Sequence, residues 1–291
     1  MGMPMAQNLL SAGFQLKIYN RIPSKAAPLT KQGAEIVEHP GDLLFPDSVV
    51  ITMVADDHAL EEIVFGPHGI AEKLGNGNIH ISMSTISPEL SQRLSEDHRK
   101  RGGHFLSATV SGRPEAAAAK KLWIYLAGED SAKRKATPFL QALGQHVYDV
   151  GSDPVHANII KLCVNFLLFS AVEGLGETFA FAKKNGVSPE LIAHIFGESM
   201  FGCPAYQIYG KIVSTEDYKA GFHLDLGMKD IRLLRSAAEE SRVPLPLANL
   251  LYQRLLTAMA KGRDALDWSA IALSSFEDAH IETPFLKGEK K

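Results

Sequence analysis

From Phe14 to about Val150, short apolar and β-branched runs recur between segments of helical periodicity, and this alternation constrains the fold more than any other feature. Strands separated by helices build βα units and a mostly parallel sheet. The predicted strands are 15–19, 34–37, 48–53, 78–82, 104–108, 122–127 and 146–150. Several are continuous apolar runs, as burial on both faces requires. Helix boundaries are marked as well. Ser87-Pro88-Glu89 offers an N-cap, a proline at the first helical position and an acid in the first turn, and Gly102-Gly103 closes that helix after Lys100.

From His156 onward the pattern changes to long helices without a strand. Residues 156–184 read as one helix, closed by Lys183-Lys184-Asn185-Gly186, where cations suit the dipole and Gly186 suits a left-handed cap. Ser188-Pro189-Glu190 starts another, and 203–213, 227–242 and 247–262 follow, the last two separated by Pro244-Leu245-Pro246. The change falls at Gly151-Ser152-Asp153-Pro154, which predicts an α/β domain over 1–152 and an all-α domain over 153–291 joined by the long helix. Residues 285–291 read as a frayed tail.

With 45% hydrophobic and 22% charged residues, the 291-residue chain has an ordinary globular composition. A net charge of −3 supplies no chain-wide attraction for nucleic acid or an anionic membrane. Cys163 and Cys203 sit in apolar stretches without metal or disulfide spacing, so packed, reduced thiols are expected and no metal site is predicted. The nearly uncharged stretch 157–172 holds Asn158, Lys161 and Asn165 and is too short and polar for a bilayer span. The start lacks a basic leader. A cytoplasmic protein is the expectation.

Met1-Gly2-Met3-Pro4 reads as the end of a phosphate-binding turn opening the first helix of a dinucleotide-binding unit. The strand and two glycines that normally precede it in G-x-G-x-x-G are not in the sequence, which points to an upstream start rather than a natural deletion. The next strand ends in Tyr19-Asn20-Arg21, where such a domain reads the adenosine ribose. An acid there favours NAD; Asn20 and Arg21, with Ser24 and Lys25 beyond, offer donors and positive charge to a 2′-phosphate, so NADP(H) is the better fit and NAD(H) the alternative. Arg21 and Lys25 also suit a solvated helix start; the order of motifs favours the cofactor.

Within 157–172, Lys161 is the sole charged residue, with apolar side chains around the whole helix. Such a helix is expected to be buried, so the ammonium must snorkel, pair or face a cleft. Asn165 lies one turn on, on the same face. In a dry cleft desolvation would lower the lysine pKa and suit it to proton transfer. Ser84-Thr85 at a predicted strand end and Ser111-Gly112 in the loop after another lie where parallel sheets bind ligands. Lys229-Asp230 stands near a helix start.

Taken together, Met1–Leu10, Tyr19-Asn20-Arg21, Val49–Met53, Met83–Pro88, Val110-Ser111-Gly112, Lys161–Asn165 and Lys229-Asp230 resemble the β-hydroxyacid dehydrogenase family in order and spacing. The resemblance implies a Rossmann-type domain followed by a helical domain, with homodimers or homotetramers packed through the helical part. It implies that Lys161 is the general acid/base, that Asn165 orients a small carboxylate-bearing substrate, and that Ser111 and Gly112 hold its carboxylate. Gly2, Met3, Val54, Ala55 and Thr85 would line the cofactor, and Lys229 would close over cofactor and substrate. The implied activity is NADP(H)-dependent interconversion of a small 3-hydroxy or 2-hydroxy acid with its semialdehyde or keto acid. The sequence departs from the family at Arg113, where a further glycine is usual, which bears on substrate choice. Alternatives are an imine reductase, although those usually carry Asp or Tyr in place of Lys161, or a catalytically silent binding protein.

Overall fold

The computed structural model describes residues 1–75 and 77–288 and divides into two compact units, one ending at Lys161 and the other beginning at Leu162. The first unit runs α1 (Gly2–Ser11), β1 (Lys17–Ile18), α2 (Pro23–Thr30), β2 (Glu35–Ile36), a 3-10 turn (Pro40–Leu43), β3 (Val49–Thr52), α3 (Asp57–Phe65) and α4 (Ile70–Lys73). It continues through β4 (Ile79–Ser82), α5 (Pro88–Lys100), β5 (His104–Ser111), α6 (Pro114–Ala118), β6 (Leu122–Ala127), α7 (Asp130–Gln141) and β7 (Gly144–Asp149). Strands occur at all seven predicted places. β1 and β2 pair in parallel; β3 to β7 form a second sheet in sequence order. Ile79, Ile81, Leu106 and Val110 pack with Met5 and Leu9 of α1 and with Leu140 of α7, while Phe105 packs with Leu60 and Val64 of α3 and with Leu90 and Leu94 of α5. Apolar side chains on both sides of the sheet explain the continuous apolar runs in the sequence.

One pairing departs from the parallel expectation: β5 and β6 are antiparallel, with Ser111 opposite Trp123. Between them lies only the short α6, less than the dozen or so residues a parallel crossover needs. Ser87 caps α5 as predicted, its Oγ accepting the Leu90 N–H at 3.0 Å, and Gly102 takes φ +81° at that helix's end.

The second unit comprises most of α8 (Val155–Lys184), then α9 (Pro189–Glu198), α10 (Pro204–Thr215), α11 (Leu224–Glu240), α12 (Pro246–Ala260), a 3-10 turn (Trp268–Ala272) and α13 (Leu273–Asp278). Phe169, Val172, Leu175 and Phe179 of α8 pack with Leu224, Met228, Leu251, Leu255 and Trp268. Gly227 permits this closeness, because a Cβ there would stand 3.2 Å from the Phe169 ring. Arg254 of α12 bonds Glu173 of α8 and Asp278 of α13, both at 2.6 Å.

Three sequence expectations need correction. α8 is not buried on every side: Ile159, Cys163 and Leu167, at successive i+4 positions, are exposed. A four-residue spacing repeats on one helical face, so a run apolar all round can still leave a stripe outside. Cys163 and Cys203 are accordingly exposed free thiols rather than packed ones. The segment read as a frayed tail is anchored at its start, where the Phe285 N–H donates to Glu216 at 2.7 Å and its ring meets Tyr218 edge-on; residues 289–291 lie outside the described residues. By length and composition α8 could also cross a membrane, with mean hydropathy 1.7 over 18 residues, although its inward face belongs to the helical core.

Candidate functional site

In the α/β unit Asn20, Val54 and Thr85 follow β1, β3 and β4, and Ser111 ends β5, all at strand C-terminal ends, where open α/β sheets bind ligands. The loops after β3 and β4 are tied together. The Val54 N–H donates to Ser84 Oγ at 2.8 Å, and the Ser87 N–H donates to Asp57 Oδ1 at 3.0 Å. Ser84 is fully buried, so its hydroxyl holds the loop, while Thr85 is half-buried and Ala55 exposed.

α1 begins at Gly2, with no acid in its first turn. A Cβ on Gly2 would project into open space rather than against protein, and Met3 behind it is half-buried. The open N-terminus offers backbone N–H groups and the positive end of the helix dipole to an anion. Asn20, Arg21, Ser24 and Lys25 are all exposed, at the end of β1 and in the first turn of α2. Asn20 Oδ1 accepts the Ile22 N–H at 2.9 Å, which shapes the turn. Among the described residues no carboxylate forms an ion pair with Arg21 or Lys25; the ion pair nearby joins Lys17 to Glu35. An open helix N-terminus at α1 and the donors and cations after β1 are groups of the kind that hold the phosphates of a dinucleotide.

Ser111 was expected in a loop but is the last residue of β5. Its pairing with Trp123 continues the ladder further than the apolar run suggested. Ser111 is 8% exposed, and its Oγ is buried with no hydrogen-bond partner among the described residues. A buried hydroxyl without a partner is costly, and a water or a ligand's acceptor can satisfy it. Gly112 follows at φ +143°, and a Cβ there would meet Leu122 Cδ2 at 2.7 Å and Ala116 Cβ at 3.1 Å. Gly112→Ala is therefore expected to destabilise the fold by about 1–3 kcal/mol, read as a lower urea midpoint; an unchanged midpoint would show that the turn relaxes without cost.

Arg113 begins α6 with an extended backbone, and α6 is held by Asn8 of α1, whose Nδ2 donates to the Ala117 carbonyl at 2.7 Å. The sequence reading missed Asn8, although Met5, Asn8 and Leu9 share one buried face at helical spacing. The start of α8 is pinned to β5: Thr109 Oγ1 donates to the Ala157 carbonyl at 2.8 Å, and Asn158 Nδ2 to Ser107 Oγ at 3.0 Å. Lys161 stands one turn beyond Ala157 and is half-buried.

In the helical unit, Asn165 is 8% exposed and its Nδ2 donates to Asp230 Oδ2 at 2.5 Å. Asp230 is 2% exposed and its Oδ1 lies 2.7 Å from Lys229 Nζ. The carboxylate therefore fixes which way the Asn165 amide faces. Lys229 sits in the second turn of α11, which starts earlier than predicted. Among the described residues no group of His, Cys, Asp and Glu is arranged to hold a metal ion.

Comparison with known proteins follows this division. Residues 1–151 match the NAD-binding domain of 6-phosphogluconate dehydrogenase. Residues 156–274 match the NAD-binding domain of NADP-dependent 3-hydroxyisobutyrate dehydrogenase. An uncharacterized oxidoreductase of Bacillus subtilis is 41% identical over 93% of this chain and 95% of its own. Glyoxylate/succinic semialdehyde reductase 1 of Arabidopsis thaliana is 29% identical over 93% of each chain. The crystal structure of a 3-hydroxyisobutyrate dehydrogenase from Salmonella typhimurium superposes with TM-score 0.83 at 22% identity, covering 94% of this chain and 95% of that one. An imine reductase from Pseudomonas sp. superposes less well, at TM-score 0.60 and 18% identity over 94% and 95%.

Proposed function

Because this chain belongs to the β-hydroxyacid dehydrogenase family, we propose that it is an NADP(H)-dependent oxidoreductase interconverting a small 3-hydroxy or 2-hydroxy acid with its semialdehyde or keto acid. The carrying observation is the placement of Lys161, one turn from Asn165 on a continuous helix pinned to the strand that ends in Ser111. The nicotinamide, when bound, supplies or accepts the hydride. Lys161 Nζ gives a proton to the carbonyl oxygen on reduction and takes it from the hydroxyl on oxidation. Ser111 Oγ–H and the Gly112 backbone hold the substrate carboxylate, which fixes the reacting carbon. Asn165, oriented by Asp230, directs the substrate oxygen toward the lysine. Lys161 favours a carbonyl over an imine substrate, because an ammonium can neutralise a developing alkoxide. Exposed Phe181, Leu191, Ile195 and Met200 support association of copies through the helical unit.

Arg21 carries the NADP(H) preference in this reading. Fluorescence titration is expected to show tighter binding of NADPH than NADH, and Arg21→Ala should erode that preference by about ten- to a hundredfold, the range of a charge-assisted hydrogen bond. Equal affinities in the unmodified chain would overturn the preference, and tighter NADH binding would make NAD(H) the cofactor.

A further inference from the structure

We propose that an aromatic hollow on the Ser111 side of β5, β6 and β7 is a substrate subsite, so that the preferred acid bears a flat apolar arm, such as an aryl group, on the carbon next to its carboxylate. This rests on the hydroxy-acid reading above. Successive side chains of a strand alternate between the two faces of its sheet. Ala108, Val110, Leu122, Ile124 and Leu126 turn to the core on one face. Ser107, Thr109 and Ser111 therefore share the other, where Thr109 and Ser107 bond to Ala157 and Asn158 and hold the start of α8. Directly opposite residues of an antiparallel pair point the same way. Trp123 stands opposite Ser111 and Tyr125 opposite Thr109, so both rings lie on the Ser111 face. Tyr148 of β7 joins them, in register with Tyr125 and stacked on it at 5.9 Å between ring centroids.

Trp123, Tyr125, Tyr148, Val150 and Ile160 line a hollow of about 370 Å³, within the roughly 300–1,000 Å³ of small-molecule sites. Two of these residues tie it to the proposed reaction site. Trp123 is the cross-strand neighbour of Ser111, and Ile160 directly precedes Lys161 on α8. With the carboxylate at Ser111 and the hydroxyl-bearing carbon directed to Lys161, the remaining substituent of the carbon between them is the group left to run along the sheet over Trp123. Tyr148 is 44% exposed, and Trp123 and Tyr125 are half-buried. A flat apolar arm would cover this aromatic surface and stack on it. A charged arm would meet no partner there, since none of the five lining side chains carries a charge.

The test compares 2-benzyl-3-hydroxypropanoate with 3-hydroxy-2-methylpropanoate, which share the carboxylate and the hydroxymethyl group and differ only in the arm. Calorimetry measures binding of each to the full chain, and initial rates with NADP+ and NAD+ measure turnover. The benzyl compound is expected to show a dissociation constant and KM about ten- to a hundredfold lower than the methyl compound. Tyr148→Ala, at the most exposed wall, should lower that ratio about two- to tenfold, through KM rather than kcat, and Tyr148→Phe should retain it. A ratio near or below one in the unmodified chain, or one that Tyr148→Ala leaves unchanged, overturns the subsite even if both compounds are oxidised. A smaller particle mass by light scattering in Tyr148→Ala also overturns it, making this face an interface between copies. Selective binding of the benzyl compound that weakens in Tyr148→Ala, without turnover of either compound, supports the subsite and counts against the dehydrogenase reading. Absence of both binding and turnover overturns both.

Discussion

Lys161→Ala is expected to lower kcat by about a hundred- to ten-thousandfold, the range spanned by a positioned general acid or base, while NADPH still binds with near-normal affinity. As the substrate's carbonyl carbon gains hydride, its oxygen takes on negative charge that a partly dry site cannot solvate. In the proposed mechanism Lys161 Nζ supplies the missing proton. Lys161→Arg should be nearly as damaging, since a guanidinium keeps the charge but does not release a proton near neutral pH. The Arg variant therefore separates charge from proton transfer. The measurements are steady-state kinetics in both directions, single-turnover rates and NADPH titration. Loss of turnover with retained cofactor affinity supports the assignment; near-normal turnover in Lys161→Ala overturns it, and loss of NADPH binding would make the lysine a structural support instead.

The elements that place Lys161 were legible from the residues because their determinants are local. Apolar runs in two-sided strands, Ser87 and Ser188 at helix starts, and Gly102 and Gly186 at helix ends all emerge where predicted. The candidate site residues came from a combination of local pattern and family resemblance. What the residues did not reveal depends on distant partners. The extension of β5 to Ser111 follows from pairing with Trp123, and the orientation of Asn165 follows from Asp230, 65 positions away. The exposed stripe through Cys163 depends on which face of α8 the other helices cover. A pair of interacting histidines also escaped notice. Its signal was present on one side: Leu90, Leu94 and His98 recur at four-residue spacing on the buried face of α5, but nothing local joins His98 to His80.

Stability is expected to fall steeply as pH drops from about 6.5 toward 4, because of this histidine pair in the α/β unit. His98 Nδ1 lies 2.6 Å from the Leu94 carbonyl, which can only accept, so that nitrogen carries the proton. His98 Nε2 then accepts from His80 Nδ1 at 3.0 Å, and His80 Nε2 accepts the Thr52 hydroxyl at 2.9 Å. The chain of bonds is complete with both rings neutral. Phe105 of β5 packs edge-on against His80 and tilted against His98, and both histidines are fully buried. Burial pushes the His98 pKa down to about 4, with the backbone bond and Asp97 opposing and Arg101 reinforcing that fall. Burial likewise pushes His80 well down, with His98 adding to it.

Above the unfolded value of 6.5 neither state takes up these protons and the pair contributes no pH dependence. Below it the unfolded chain binds protons that the folded one does not, so stability declines until the folded pKa is passed. For His98 alone that decline amounts to about 3 kcal/mol. Urea unfolding at pH values from 7.5 to 4.5 measures it. Replacing both rings, as His80→Gln with His98→Gln, should flatten the slope between pH 6.5 and 4.5 relative to the unmodified chain, whatever it does to stability at pH 7.5. Parallel slopes in the two proteins would place the acid sensitivity in groups other than this histidine pair.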